Sequence, residues 1–288
     1  MNIFEYAKFK KIFGSSGGGS GSGMLKCSQV NPTKTMSISS FRGLNISFDV
    51  AESIGESAFE EALCLQTVNL PVATSIGNRA FLGCTDLKSI DAPCVESVGN
   101  FAFYETGLLN VDLPVATSIG EHAFEKSRLT SINLPNATSI GWGAFQENLM
   151  LGQVYAPKVE SVEEAAFRDC GYVLTKIDLP SVTSIAGEAF SGCLEFDTLI
   201  LSNTETVCNF NVIAILDTKI ATAEGMPTGE GFIYVPTKFY EDYVTLLAEQ
   251  AVMLLISQGM SEAEASATAD YIARAVLRKI EDYPEICG

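Results

Sequence analysis

The chain has 288 residues, 47% of them apolar, with a formal net charge of −17, eight cysteines and one histidine. The apolar share is ample for a large core, and a charged fraction of 18% argues against disorder through most of the chain. A pI near 4.4 disfavours nucleic acid as a partner, because phosphate binding needs clustered lysine and arginine. One histidine leaves few ways to build a zinc, haem or acid–base site.

Charge is distributed unevenly along the chain. Residues 1–43 sum to +5, residues 44–207 to −15 and residues 208–288 to −7, which suggests separate roles for the basic start and the acidic middle. No secretory signal is predicted, because the start lacks an apolar h-region. The apolar stretch Val244 to Ser257 contains Glu249 and Gln250 and is too polar to span a bilayer. We therefore expect synthesis in the cytoplasm, with cysteines kept as thiols.

Residues 1–13 can form an amphipathic basic helix, the predicted tether. Its lysines are interleaved with aromatic side chains at spacings that place several of them on one side of a helix. The aromatic residues of the tether are Phe4, Tyr6, Phe9 and Phe13. Residues 14–23 contain only glycine and serine and are predicted to be a flexible linker. A tag with an engineered linker, docking onto a larger particle, and binding to a membrane surface are three open interpretations.

Residues 24–207 are predicted to form an α/β solenoid of about seven coils with an N-terminal cap, because one pattern recurs along residues 44–207. An Ala-Phe pair returns at steps of 22, 22, 21, 21, 22 and 23 residues. A β-branched residue stands five positions before each phenylalanine, and a Leu-x-x-Ile/Val-x-Leu/Ala run precedes each of the six repeat prolines. A repeat of this length cannot bury its apolar face alone, so neighbouring copies must stack. The motif phenylalanines are Phe59, Phe81, Phe103, Phe124, Phe145, Phe167 and Phe190.

Each repeat predicts one short strand, a proline that ends it, a second extended piece and a turn that buries Ala-Phe. The motif Ser53-Ile54-Gly55-x-x-Ala58-Phe59 resembles BspA-type (Treponema-type) leucine-rich repeats over about residues 44–207. The resemblance implies a right-handed superhelix of 21–23-residue coils with a parallel sheet, a role in surface interactions, bacterial or bacteriophage origin and no catalytic residues. Glu163 and Ala186 depart from the pattern, because other coils have glycine there. Residues 1–23 also resemble the start of some prophage-encoded repeat proteins from gut bacteria.

The cysteines and the histidine follow the repeat rather than a reactive pattern. Cys84, Cys170 and Cys193 each stand three residues after a motif phenylalanine, where other coils have threonine, serine or asparagine. This position predicts a small side chain near the core, and without a Cys-x-x-Cys pair neither zinc nor redox chemistry is expected. His122 stands two residues before Phe124, and we interpret it as a surface or satisfied core residue. No cofactor and no metal are predicted.

Two polar columns are predicted on the outside of the coils. One column is formed by the residue before the final Leu or Ala of each strand, namely Asn69, Asp91, Asp112, Asn133, Tyr155, Asp178 and Ile200. The other is formed by Thr74, Glu96 and their equivalents, each with Ser or Thr beside it. A solvated face that supports the turns is one interpretation, an acidic recognition surface for a glycan or protein the other. Calcium binding by the aspartates would lack a dedicated loop. The candidate binding surface comprises the aromatic anchors Trp142 and Tyr155 with Asn69, Asp91, Asp112, Asn133 and Asp178.

The C-terminal part predicts a capping coil over residues 208–237, followed by a helical hairpin and tail over 238–288. Ile233 to Pro236 is predicted to be the final strand of the solenoid. A first helix should run from about Lys238 to Gln258, and a second should start at the capping box of Ser261 and Glu264 and continue to about Ile280. The hairpin either covers the open edge of the last coil or joins subunits.

Three functional hypotheses follow. The first is a non-enzymatic phage or prophage virion-associated protein, held by its tether and displaying the solenoid for host attachment. The second is a bacterial cell-surface adhesin or host-interaction protein. The third is an enzyme or regulator that uses the C-terminal helices, for which His122 would need a cleft and an orienting carboxylate.

Overall fold

The computed structural model describes residues 25–26 and 44–287 apart from 64, 204, 223 and 224, so the tether and linker lie outside the described residues. The strands are β1 (Leu25–Lys26), β2 (Leu44–Ser47), β3 (Ser53–Ile54), β4 (Leu65–Asn69), β5 (Ser75–Ile76), β6 (Ser89–Asp91), β7 (Ser97–Val98), β8 (Asn110–Asp112), β9 (Ser118–Ile119), β10 (Ser131–Asn133), β11 (Ser139–Ile140), β12 (Gln153–Tyr155), β13 (Ser161–Val162), β14 (Lys176–Asp178), β15 (Ser184–Ile185), β16 (Thr198–Ile200), β17 (Asn209–Phe210), β18 (Phe232–Val235) and β19 (Leu277–Lys279). The α-helices are α1 (Tyr240–Ser257) and α2 (Glu262–Val276). Short 3-10 helices occupy Val212–Ile215, Thr237–Phe239, Ile280–Asp282 and Pro284–Cys287.

The strands form two parallel rows along a solenoid of about seven turns, which confirms the predicted fold class. The strand row contains the Leu-x-x-Ile-x-Leu strands and is divided into three sheets, β1-β2-β4-β6, β8-β10-β12 and β14-β16-β18-β19. The serine row contains the two-residue Ser-Ile or Ser-Val strands from β3 to β15, followed by Asn209–Phe210 of β17, and forms one continuous sheet. In the serine row from β5 to β15, each serine is partly exposed and each Ile or Val is buried, as a two-residue period requires.

A column of phenylalanine rings runs through the core. We number the coils 1 to 7 by their motif phenylalanines, from Phe59 to Phe190. Neighbouring rings lie 5.0–5.5 Å apart between centroids, with planes within 13° of parallel. Phe48 extends the column at one end and Phe196 at the other. Each ring therefore buries its faces only against the next coils, which explains why a single repeat cannot fold alone.

Each turn that carries Ala-Phe contains two residues in the left-handed backbone region. The residues two before and two after the motif phenylalanine have φ between 51° and 75° in all seven coils, and eleven of these fourteen are not glycine. This geometry points alternate N–H groups along the solenoid axis. In coil 3, for example, the N–H groups of Phe101, Phe103 and Glu105 donate to carbonyls of coil 4 at 2.7–2.9 Å. The turn thus satisfies its own backbone through its neighbour, although a left-handed non-glycine residue costs about 1–2 kcal/mol.

Helix α1 covers the open end of the serine row. This is the first of the two roles predicted for the hairpin, which was to cover the open edge of the last coil. The Tyr243 hydroxyl accepts a hydrogen bond from the Cys208 N–H at 2.8 Å. The Gln250 side chain donates to the Phe210 carbonyl at 2.7 Å and accepts from the Val212 N–H at 2.6 Å. These contacts satisfy backbone groups that a further coil would otherwise bind.

The second helix is shorter than predicted, and the predicted last strand is not the last. The capping box of Ser261 and Glu264 is confirmed, but α2 ends at Val276 rather than near Ile280. The next residues form β19, which pairs in parallel with β18 and buries Leu277. The open edge of β18 offers backbone partners, and pairing with it overrides the helical propensity of this segment. The hairpin is therefore inserted between two adjacent strands of the strand row.

The left-handed turn positions generate a stability prediction. Glu105 is exposed with φ of 55°, and the equivalent positions of coils 2 and 7 are Gly83 and Gly192. We expect Glu105→Gly to raise the free energy of unfolding by about 0.5–1 kcal/mol relative to Glu105→Ala, because glycine has no Cβ to strain this conformation. Urea unfolding of the two variants measures the difference. Equal stability would show that these turns are not strained.

Candidate binding surface

The first predicted column exists, but it is divided between the three sheets of the strand row. Asn69 pairs with Asp91 in the first sheet, and Asp112, Asn133 and Tyr155 pair in the second. The third sheet aligns Asp178 with Ile200 and Tyr234. Side chains within the column bind each other, since the Asn133 amide donates to Asp112 at 2.8 Å and that of Asn69 donates to Ser47 at 3.1 Å. Part of the column is therefore self-satisfied, as the supporting interpretation predicted.

A groove opens at the break between β12 and β14. The face groove, as we call it, has a volume of about 460 Å³. Tyr155 projects there with 58% of its surface exposed, in contrast to the short polar side chains at the equivalent positions of coils 1 to 4. The described residues that line the groove are Ser131, Ile132, Asn133, Gly152, Gln153, Val154, Tyr155, Lys176, Ile177 and Asp178. The structure thus brings together three of the seven predicted surface residues, namely Asn133, Tyr155 and Asp178.

Both charged residues of the face groove have defined partners. Burial raises the pKa of the Asp178 carboxyl above its ordinary value, while a hydrogen bond from Ser202 and the charge of Lys176 oppose that shift. The Lys176 amine donates to the Ile286 carbonyl in the C-terminal tail at 2.5 Å. Because these side chains are held by neighbours, the groove presents a preformed arrangement of one aromatic ring with amide, carboxyl and amine groups.

The C-terminal tail closes the far side of this face. The Tyr283 ring meets Tyr234 of β18 edge-on, with centroids 5.6 Å apart, and the tail then reaches Lys176 of β14. The tail therefore crosses β16, where Ile200 is fully buried. Among the column residues whose burial is described, those from β4 to β14 are open to solvent, and the face groove lies at the tail's edge.

The other predicted anchor lies on a different surface. Trp142 is in the turn after β11, where its ring meets the His122 ring at a centroid distance of 4.5 Å. Trp142 does not line the face groove, so the structure does not bring the two predicted aromatic anchors together. Asn69, Asp91 and Asp112 also lie outside the groove, further towards the start of the solenoid.

His122 is held in an aromatic and acidic cluster on the turn surface. Its ring stacks on Phe101 at 4.8 Å, and its Nδ1 lies 2.5 Å from a Glu125 carboxylate oxygen. Gly143 follows Trp142, and a Cβ there would lie 2.6 Å from the His122 Nδ1, so this turn needs glycine. Glu125 supplies the orienting carboxylate that a catalytic histidine needs. His122 does not line the face groove, nor the second groove at the end of the serine row that is described below.

The same cluster fixes a lysine. The Lys126 amine donates to the Tyr104 hydroxyl at 3.1 Å and lies 3.6 Å from both Glu125 and Glu147. The hydrogen bond to Tyr104, together with these carboxylates, raises the pKa of Lys126 above its ordinary value. These contacts tie coils 3, 4 and 5 together on one side, which explains the cluster without a ligand.

The second predicted column supports the turns. The hydroxyls of Thr74, Thr117 and Thr138 each donate to a backbone carbonyl of the preceding coil at 3.2 Å, and Thr183 does so at 3.0 Å. Threonine at this position thus braces two coils against each other.

The cysteines of the repeat are structural. Cys84, Cys170 and Cys193 are fully buried, and each sulfur donates to the carbonyl of the motif phenylalanine one coil earlier at 3.0–3.1 Å. Asn148 makes the equivalent bond at 2.7 Å, and Ser127 at 2.8 Å. The predicted position for small hydrogen-bonding side chains is confirmed. Burial raises the pKa of Cys170 above its ordinary value and that of Cys208 to about 12.

A second groove lies where the serine row meets α1, and sequence reasoning missed it. The terminal groove, as we call it, has a volume of about 860 Å³. It is lined by residues of β13, β15 and β17, by the 3-10 helix after β17 and by α1. Glu163 and Ala186, the two departures from the glycine of other coils, both line it. These departures were the one signal in the sequence that the end of the serine row differs from its middle.

Comparison with known proteins gives the family. A profile described as the BspA type leucine rich repeat region matches residues 52–173 and 171–221 in six copies, more than half of the chain. The chain belongs to the BspA-type leucine-rich repeat proteins. This family is typically non-enzymatic, and its solenoids offer surfaces for molecular interaction. No curated protein matches the chain.

Two solved structures show partial similarity. A leucine-rich repeat protein from Bacteroides ovatus aligns at 19% identity with a TM-score of 0.47, over 67% of this chain and 61% of that one. A leucine rich cell surface protein from Faecalibacterium prausnitzii aligns at 21% identity with a TM-score of 0.47, over 74% of this chain and 66% of that one. The chain spans less than two thirds of either structure's length.

Two further findings concern only the described part of the chain. There, no three His, Cys, Asp or Glu side chains are grouped so that they could hold a metal ion. No helix in that part is both long and apolar enough to cross a membrane.

Burial of the repeat cysteines predicts their reactivity. In a variant with Cys27, Cys64 and Cys287 replaced by serine, we expect one thiol to react rapidly with a neutral-pH disulfide reagent. That thiol is the exposed Cys94, because burial keeps the other thiols out of reach of the reagent, namely Cys84, Cys170, Cys193 and Cys208. Adding denaturant should expose the remaining thiols. Rapid labelling of more than one thiol in the folded state would contradict the structural role.

Proposed function

We propose that the chain is a non-enzymatic surface-interaction protein that presents the face groove to a protein or glycan ligand. The observation that carries this proposal is the exposed Tyr155 ring among Asn133, Lys176 and Asp178 at the second of the two breaks in the strand row. Aromatic rings with polar neighbours are the residues that dominate binding energy at interfaces. Membership in the BspA-type family supports an adhesion role for such a surface.

We further propose that the protein is associated with a phage or prophage virion, to which residues 1–13 attach the solenoid. The support is in the sequence: a basic aromatic segment joined to the solenoid by ten glycine and serine residues, in the manner of a tether. The second candidate is an adhesin on a bacterial cell surface, which the family favours. Genome context separates these candidates, because neighbouring tail or capsid genes favour the virion.

Catalysis has less support than binding. His122 and Glu125 form the only described His–carboxylate pair, yet Phe101 covers one ring face and Trp142 meets the ring on another side. A substrate would have to displace this packing before it reached the imidazole. The third hypothesis, an enzyme or regulator that uses the C-terminal helices, gains little from α1, because Tyr243 and Gln250 of this helix bind backbone groups at the end of the solenoid.

The role of Tyr155 is tested by ligand binding. We expect Tyr155→Ala to weaken binding on an array of glycans and surface proteins by at least about tenfold, because it removes the exposed ring of the groove. Tyr172→Ala is the matched control, since Tyr172 is 66% exposed and lies outside the groove. Trp142→Ala, on its separate surface, tests the other predicted anchor on the same array. Unchanged binding by the Tyr155 variant would remove this residue as the anchor.

The role of the tether is tested by deletion. We expect removal of residues 1–13 to abolish incorporation into particles and to leave the circular dichroism of the solenoid unchanged, because the phenylalanine column and the strands of the coils are built from residues 44–235. Immunoblotting of purified particles measures incorporation. Particles that retain the truncated protein would rule out the tether.

A further inference from the structure

The terminal groove combines an acidic rim with apolar side chains. Of the described residues that line it, Glu163, Glu164 and Glu249 are glutamates and none is a lysine or arginine. Met253 is 71% exposed and Ile213 is also exposed, so apolar surface remains open between β17 and α1. The groove is built on fixed elements, because Gln250 anchors α1 to the backbone of Phe210. Such a site suits a basic segment that carries large apolar side chains.

We propose that the terminal groove binds residues 1–13 of a second copy of this chain. The inference rests on the proposed attachment role of residues 1–13 and names the partner of that segment. Residues 1–13 contain three lysines, Lys8, Lys10 and Lys11, against the single acid Glu5. Met253 and Ile213 are exposed apolar side chains. The four aromatic side chains of the tether can pack against them. Charge and apolarity on the two sides are therefore complementary.

The length of residues 1–13 matches the size of the terminal groove. The helix predicted from the sequence for residues 1–13 would be about 20 Å long, which is shorter than the roughly 27 Å of the eighteen-residue α1 beside the groove. The three strands β13, β15 and β17 span about 10 Å at the usual strand spacing. A volume of about 860 Å³ accommodates several large side chains.

The reach of the linker favours a second copy over the same copy. Chain order places the linker at β1, six strand levels from the level of β13, which is about 29 Å at a spacing of 4.8 Å. A flexible ten-residue linker has a root-mean-square span of about 17 Å and a maximum of about 35 Å. Docking within one molecule would need an almost fully extended linker, whereas a neighbour placed end to end needs no extension. The described C-terminal tail does not compete, because it lies on the strand row at Tyr234 and Lys176.

Such docking is heterologous, since the start of one molecule meets the end of the next. Contacts of this kind continue into open chains unless they close into a ring. The full chain should therefore show a mass that rises with concentration above its monomer mass of 30.9 kDa. Sedimentation velocity over a concentration series measures this, and added salt should weaken the association because exposed charges contribute to it.

Charge reversal tests the site. We expect Glu164→Lys with Glu249→Lys, made in the full chain, to raise the dissociation constant on the order of tenfold. The matched control is Glu52→Lys with Glu96→Lys, which makes the same change in net charge at exposed positions outside the groove and should leave association unchanged. Adding Lys8→Glu and Lys11→Glu to the groove variant should restore association, as a direct charge pairing requires. Circular dichroism establishes that each variant is folded.

The outcomes distinguish this inference from the proposed function. A full chain that stays monomeric at all concentrations overturns the inference, as does association that survives the groove variant. If removal of residues 1–13 abolishes particle incorporation while the full chain stays monomeric, the tether binds another partner and the proposed function stands. Restoration by the paired reversal would establish the groove as the docking site.

Discussion

The structure depends on contact between equivalent phenylalanine rings in neighbouring coils. The rings lie about one strand spacing apart, so one distance satisfies the aromatic column, the strand row and the serine row together. Each coil can vary between 21 and 23 residues because the extra length lies in the segments between these three fixed points. The surface differs from coil to coil, while the interior changes little.

The hydrogen bonds of the turns follow from that same spacing. The paired left-handed residues direct backbone N–H groups to the next coil, and the cysteine position directs a side chain to the previous one. Each inner coil therefore forms hydrogen bonds with the coil before it and with the coil after it. The polar groups of the first and last coils need partners from outside the repeat. At the C-terminal end, Tyr243 and Gln250 of α1 supply them.

Much of the fold could be predicted, because the positions that pack in the core carry the same type of residue in every repeat. The regular spacing of the phenylalanines predicted the number of coils. The mixture of cysteine, serine, threonine and asparagine at one position predicted a small buried side chain there. The left-handed turns could not be predicted, because eleven of fourteen positions carry residues that usually avoid this conformation. The end of α2 was missed because pairing with β18, a contact distant in sequence, decides it.

The candidate site was only partly predictable, for a related reason. The residues predicted to form the first column are paired as expected within each sheet. The pattern within one coil does not show where the hydrogen bonding between strands of the strand row is interrupted. The two breaks coincide with changes in the distance from the motif phenylalanine to the strand. This distance falls from eight residues to seven between Phe81 and Phe103, and rises from eight to nine between Phe145 and Phe167. A similar change between coils 4 and 5 leaves the ladder intact, so length alone does not decide it.

Insertion of the hairpin between β18 and β19 has a consequence for synthesis of the chain. Every coil up to β17 can pack on its predecessor as soon as it leaves the ribosome, because its partners are about 22 residues away. Strand β19 instead waits for about 40 further residues, until α1 and α2 have turned the chain back to β18. The solenoid therefore extends by one coil of about 22 residues at a time, and its last strand pairs only after the whole hairpin has been made. Pairing of β19 with β18 also brings the tail over the strand row beside the face groove.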